Sequence, residues 1–333
     1  MNPFFCAEAS SEAGEDLIGS APPCQTYILI ECPLPWTPNA FESKLIPQNL
    51  RDRIESVRQS RLPIRFLLVA RSENSACPPV LRPQILIYEQ QLGNFCQGYR
   101  CREHTVDHLD QVAPLIQRYL AGQLTLSASL NRDRRDLLVC VHGSHDKCCA
   151  KYGLPFYREA IATVAQLGYS NVHLWKTSHF GGHRFAPTLI DLPEGRYYGR
   201  LNQSALRSIL MRSGDLQSLN LVYRGWSILP QWLQPLENEL IQHHGWQWFD
   251  YKISHRLLKK SANGEIQAEL WVEQPDGLLY HYEVEMIRDL EKTICLKSSC
   301  DSNQALEPVI YRVKSLQCRQ SSLAIDNSLS SRN

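Results

Sequence analysis

The chain has 333 residues, 43% of them hydrophobic and 21% charged, enough apolar material for more than one core and too much for a globally disordered protein. Lys and Arg number 35 against 34 Asp and Glu, so the net charge of +1 supplies no long-range attraction for nucleic acid or an anionic membrane. No apolar run reaches the roughly eighteen residues of a membrane span. Met1–Asp16 lacks the basic and apolar regions of a signal peptide, and the expected location is the cytoplasm. The short basic runs Arg132–Arg135 and Lys259–Lys260 read as solvated surface.

Residues 1–24 read as an irregular lead-in. Gln25–Glu31 is a strand by its β-branched and aromatic content, and Pro47–Ser60 has the spacing of an amphipathic helix. Ile64–Ala70 and Gln84–Tyr88 read as buried strands, and Val106–Leu120 as a helix that Pro114 is placed to kink. Residues 1–130 are thus expected to form an N-terminal α/β domain. A second α/β unit, residues 131–240, begins with the strand Leu137–His142 and the helix Phe156–Leu167. The strands Asn171–Lys176, Pro187–Leu192 and Tyr197–Leu201 follow, with helices at Gln203–Arg212 and Leu233–Gln242. This β-α-β then β-β-α order matches a thioredoxin-like layout, and the preceding domain is of a size to share it in degenerate form. From Trp246 the pattern changes to alternating runs, with a hairpin signal at Pro275-Asp276-Gly277. Residues 241–316 are expected as an antiparallel β extension, and the Ser-rich residues 317–333 as a disordered tail.

Twelve cysteines are many for a reducing compartment, where they persist as buried thiols, metal ligands or redox groups. Cys6, Cys24, Cys32, Cys77, Cys96, Cys101, Cys295, Cys300 and Cys318 are scattered, form no C-x-x-C pair, and read as small core hydrophobes or bystanders. Cys140, Cys148 and Cys149 stand apart from them. Cys140-VHGSHDKC-Cys149 is followed by His179-FGG-His183, so four soft or borderline donors fall in two pairs, each at the end of an expected strand. Two glycines between the histidines disfavour a helix by about 2 kcal/mol, so a tight loop is expected there, open to a bulky acceptor. Structural zinc sites usually space paired ligands as C-x₂₋₄-C, and the wider interval here leans toward an object larger than one ion. Mixed thiolate and imidazole ligation suits a Rieske-type 2Fe–2S centre.

The stretch 137–200 resembles the thioredoxin-like 2Fe–2S ferredoxins, and more specifically the sucrase/ferredoxin-like family. The resemblance rests on Ser178-HFGGHRFA-Pro187, on TLIDLPEGRYYGRL at 188–201, and on the opening FFCAEASSEAGEDLIGSAP at 4–22. It covers about the first two thirds of the chain and leaves the sheet after Trp246 unmatched. It implies a 2Fe–2S cluster held by Cys140, Cys149, His179 and His183, with Cys149 favoured over Cys148 by the family spacing. His142, His145 and His173 are not expected as ligands, though His145 is placed to lie beside the cluster. The implied role is electron transfer between a donating reductase and an acceptor that the sequence does not name. Imidazole ligation is expected to raise the potential above that of an all-cysteine ferredoxin and to make it fall as pH rises. Arg184 and Lys147 flank the ligands, where they would dock an acidic partner, tune the cluster or serve solubility. The alternative reading is a structural zinc-binding interaction protein that uses the same four ligands. A metal-free thiol oxidoreductase lacks the C-x-x-C pair that chemistry calls for.

Overall fold

The computed structural model describes residues 4–71, 82–91, 93–124 and 133–322, and it gathers their apolar runs into one large sheet. The first half of the chain contributes β1 (Thr26–Glu31), β2 (Ile64–Ala70), β3 (Gln84–Gln90) and β4 (Tyr99–Thr105). The second contributes β5 (Arg135–Cys140), β6 (Val172–Thr177), β7 (Leu189–Leu192), β8 (Arg196–Tyr198) and β9 (Tyr223–Trp226). Their order is β4-β3-β1-β2-β6-β5-β7-β8-β9. The helices around it are α1 (Cys6–Glu12), α2 (Gln48–Gln59), α3 (Val112–Leu120), α4 (Lys147–Leu167), α5 (Gln203–Met211), α6 (Leu216–Asn220) and α7 (Gln234–His244).

The two halves repeat one topology. In each, a parallel pair is joined through a helix, β1-α2-β2 in the first and β5-α4-β6 in the second. Two antiparallel strands then add on the far side of the leading strand, β3 and β4 in the first half, β7 and β8 in the second. The central strands are covered on both faces, which is why Tyr27–Ile30 and Leu137–Val139 read as unbroken apolar runs. The halves join through β2 and β6, antiparallel at Val69↔Thr177 and Ala70↔Lys176. Pairing two equivalent edge strands in this way relates the halves by a local twofold axis. It also sets the seam one residue short of Ser178-His179.

A second sheet, β10 (Lys252–Lys260), β11 (Ile266–Glu273), β12 (Leu278–Arg288) and β15 (Tyr311–Ser322), is antiparallel throughout. It buries one face, with Ile266, Ala268, Leu270 and Val272 alternating inward along β11. Cys96 and Ile253 exchange two backbone hydrogen bonds of 2.8 Å and tie this sheet to the first half. Between β12 and β15 the chain makes an excursion bearing the short hairpin β13 (Leu296–Lys297) and β14 (Ala305–Leu306).

Several expectations are corrected. The lead-in contains α1, whose Cys6, Ala7 and Ser10 are buried. The long central helix starts at Lys147 rather than Phe156; it accommodates Pro155 because a buried face of Cys148, Cys149, Gly153, Phe156, Tyr157 and Ala160 outweighs the lost backbone hydrogen bond. Gly245–Asp250 is a 3-10 turn rather than the start of a strand, and β4, half-polar, was not anticipated. Residues 317–322 continue β15, where pairing with β12 outweighs their polar composition. Arg134 and Arg135 are not free surface but pair with the buried carboxylates of Asp136 and Asp191. Cys77, the expected boundary at 130–131 and the remaining tail lie outside the described residues. No helix among the described residues is long and apolar enough to cross a membrane.

Candidate metal centre

Cys140 closes β5, its N–H bonded to the Thr188 carbonyl at 3.2 Å. The next turn delivers Asp146, which caps α4 by accepting from the Cys148 N–H at 2.9 Å. The first turns of α4 press against the end of β5 because residue 153 has no side chain. A Cβ on Gly153 would lie 2.0 Å from the Cys140 carbonyl oxygen. Adjacent residues on a helix diverge by about 100°. Cys149 therefore faces Cys140, while Cys148 faces elsewhere. Both cysteines lie on the helix, and it parts their two sulfurs.

Cys140, Cys149 and His179 bring their ligand atoms within 4.8 Å of one another. The Nδ1 atom of His179 lies 3.6 Å from the Cys149 sulfur and 3.9 Å from that of Cys140. Both cysteines are buried and His179 is half-buried, overlaid by the exposed ring of His145 stacked at 4.0 Å. Hydrogen bonding to Cys140 and burial push the Cys149 thiol well above its usual range. Burial first, then His145, His183, His142 and Arg224, lowers the His179 pKa to about 2. The ring is thus neutral at physiological pH, the form a metal binds.

The turn that carries the histidines is held from both halves of the sheet. Ser178 bonds Leu68 in both directions, N–H to carbonyl at 2.9 Å and hydroxyl oxygen to N–H at 3.0 Å. Arg65 donates to the Phe180 carbonyl at 2.6 Å. Gly182 sits at φ +83°, and a Cβ there would come within 2.5 Å of the Arg224 guanidinium. That buried arginine donates to the Gly181 carbonyl at 3.1 Å and to the Ser20 carbonyl at 2.9 Å. The loop is tight, as the paired glycines imply, and ends in a 3-10 turn at His183–Phe185.

His183 does not join the first group. Its Nδ1 lies 3.2 Å from the Cys6 sulfur and 3.3 Å from an Asp146 oxygen, and its ring centre is 5.2 Å from that of His179. Burial lowers its pKa, with Asp146 acting the other way. Around that contact is a second group, Cys6, Asp146, Cys148 and Cys300, all buried and again within 4.8 Å. Sulfur separations are 3.5 Å for Cys6–Cys148, 3.2 Å for Cys148–Cys300 and 3.5 Å for Cys6–Cys300. Hydrogen bonds, led by that from Cys6, lower the Cys148 pKa to about 7, whereas burial first raises that of Cys300 to about 11. Sequence reasoning missed Cys6, Cys300 and Asp146. The doubled Cys148-Cys149 was the signal: one helix cannot aim both sulfurs at one object, so the second needs partners of its own. Arg184 is buried and paired with Glu15 at 2.7 Å, a place that suits neither docking nor solubility, while Lys147 is exposed and pairs with Asp301.

Buried Cys, His and Asp groups able to hold metal, set beside the joint of a mixed α/β sheet, define a candidate metalloprotein. The chain belongs to the sucrase/ferredoxin-like family, whose model matches residues 17–225, from before β1 into β9, and includes the whole of the first group. Comparison with curated proteins and with solved structures returns no match.

Proposed function

We propose that the protein is a one-electron carrier holding a 2Fe–2S cluster through Cys140, Cys149, His179 and His183. The observation that carries this reading is the convergence of two buried thiols on a neutral, half-buried imidazole within the family-matched region. The donor set fits the group: two thiolates on one side, and imidazoles that burial keeps deprotonated on the other. When bound, such a cluster accepts and returns a single electron. The chain's own part is to exclude water from the sulfurs and to leave the histidine side nearest the surface. His183 has its Nδ1 turned to Asp146, which leaves Nε2 as the nitrogen free for a metal. The repeated order of a parallel βαβ pair with two antiparallel strands supports a thioredoxin-like frame for each half. The partners of this reading are a donating reductase and an electron acceptor, in the reducing cytoplasm.

The test is visible absorption and EPR of anaerobically purified protein before and after dithionite, with iron analysis. About two irons per chain, a visible spectrum that bleaches on reduction and a Rieske-like EPR signal are expected. A chain that stays colourless and takes up no iron on anaerobic reconstitution overturns the reading and leaves zinc at the same four residues in its place.

A further inference from the structure

The geometry points to a second, mononuclear metal site, in which the thiolates of Cys6, Cys148 and Cys300 and the carboxylate of Asp146 hold one zinc-type divalent ion. Three observations carry it. The three sulfurs lie 3.2 to 3.5 Å apart, near the edge of about 3.8 Å expected for a tetrahedron with Zn–S bonds of about 2.3 Å. An Asp146 oxygen completes the figure, 3.2 Å from the Cys300 sulfur and 3.8 Å from that of Cys6. Sulfurs this close to one another leave room for one ion among them and none for bridging sulfides.

The surroundings are those of a ligand set. The Ala7 N–H donates to the Cys148 sulfur and the Cys6 N–H to the Cys300 sulfur, each at 3.4 Å. Both Asp146 oxygens accept backbone N–H groups, from Cys148 at 2.9 Å and from Cys300 at 3.0 Å, which orients the carboxylate. The carboxylate of Asp146 is already buried beside the three sulfurs, and a divalent ion would offset the charge that the cysteines acquire when they ionise to bind it.

Cys6 and Cys300 lie outside the family-matched residues 17–225, whereas Cys148 lies within them. The ion would pin the N-terminal helix and the β12–β15 excursion to α4, beside the outer nitrogen of His183. It is a closed four-ligand site and its role is structural. The inference does not depend on the electron-carrier reading, since it shares no sulfur with Cys140 or Cys149.

The test uses the untagged full-length chain purified without chelator, with zinc and iron measured together by mass spectrometry. About one zinc per chain is expected, lost in Cys6→Ser and in Cys300→Ser and kept in Cys140→Ala. Iron falls in Cys140→Ala alone if the carrier reading holds; zinc without iron in the wild type sinks that reading and spares this one. Should the serine variants not fold, cobalt(II) added to metal-free wild-type protein keeps the question open to measurement: thiolate-to-cobalt charge transfer and tetrahedral d–d bands are expected. Absence of both zinc and cobalt binding, zinc retained in full by folded Cys300→Ser, or a disulfide among the three cysteines on peptide mapping overturns the site.

Discussion

The main-chain N–H of His179 donates to Nδ1 of His142 at 3.2 Å, and Nε2 of the same ring reaches the Thr37 carbonyl at 2.8 Å. Because the His179 amide has only a proton to give, Nδ1 must accept and Nε2 must carry the ring proton. One buried, neutral imidazole thereby spans from the first half of the chain to the turn that bears His179. His142→Ala leaves the half-buried His179 N–H and the Thr37 carbonyl without this partner, a loss of about 1 kcal/mol. Supports of this kind typically cost 10–100-fold in metal affinity when removed. Urea unfolding and iron retention against a chelator are expected to report both losses, and a variant matching wild type in iron retention would rule out the positioning role.

Gly153 offers a sharper steric test. An alanine Cβ there would sit 2.0 Å from the Cys140 carbonyl oxygen, so α4 must move away from β5 and take Cys149 with it. Gly168 ends the same helix in a left-handed conformation, φ +70°, with nothing within 4 Å of an added Cβ. Gly168→Ala is expected to lose about 1–2 kcal/mol and keep its metal. Gly153→Ala is expected to lose about 3 kcal/mol or more, beyond ordinary overpacking because the obstacle is backbone, and to bind metal poorly. Equal metal content in the two variants would show that helix position does not set the Cys140–Cys149 geometry.

Acid stability should carry the imprint of Glu194. Burial would raise its pKa, but Arg212, Arg135 and Arg196 prevail and hold it below the ordinary value of 4.5. A carboxylate depressed in the folded state contributes stability that is fully present above the unfolded value and is lost as pH falls through the folded one. Glu194→Gln should therefore be less stable than wild type near neutral pH, with the gap narrowing as pH drops from about 5 to about 3. Denaturation midpoints measured across that range check the sign. A gap that widens toward acid would contradict it.

Much of the frame was readable because the central strands carry short apolar runs, YILI at 27–30, FLLVA at 66–70 and LLVCV at 137–141. Gln25–Glu31, Ile64–Ala70 and Leu137–His142 fall on β1, β2 and β5 within a residue or two. The C-terminal hairpin followed from Asp276-Gly277. What escaped was decided by long-range contact. Gln317–Ser322 are polar and become strand only by pairing with Leu278–Glu283 on β12. A shared fold for the two halves was suggested by their size alone; the strand order that makes it a repeat needs the pairing, since no residue pattern marks β2 and β6 as equivalent edges. At the metal centre, local spacing brought forward Cys140, Cys148, Cys149, His179 and His183 together, and only the family resemblance favoured Cys149 over Cys148. Spacing could not place Cys6 or Cys300, which meet Cys148 across 142 and 152 residues of chain. The same spacing grouped His183 with His179, whereas the left-handed glycines turn its Nδ1 toward Asp146.

The potential of the proposed carrier gives the most direct check on His179. Its Nδ1 is the imidazole nitrogen nearest both Cys140 and Cys149 sulfurs, so it is the histidine whose replacement should be felt most. His179→Cys exchanges a neutral donor for an anionic one. An added electron then enters a more negative centre, and reduction becomes harder. Rieske centres lie between about −150 and +300 mV and plant-type ferredoxins near −400 mV, so one exchange should lower the midpoint on the order of 100 mV. His179→Ala, with no donor in that place, should lose visible absorption instead. Film voltammetry of the cysteine variant measures the shift, and the visible spectrum of the alanine variant checks the loss. A midpoint equal to that of wild type would place His179 outside the ligand set and return its role to packing beneath His145.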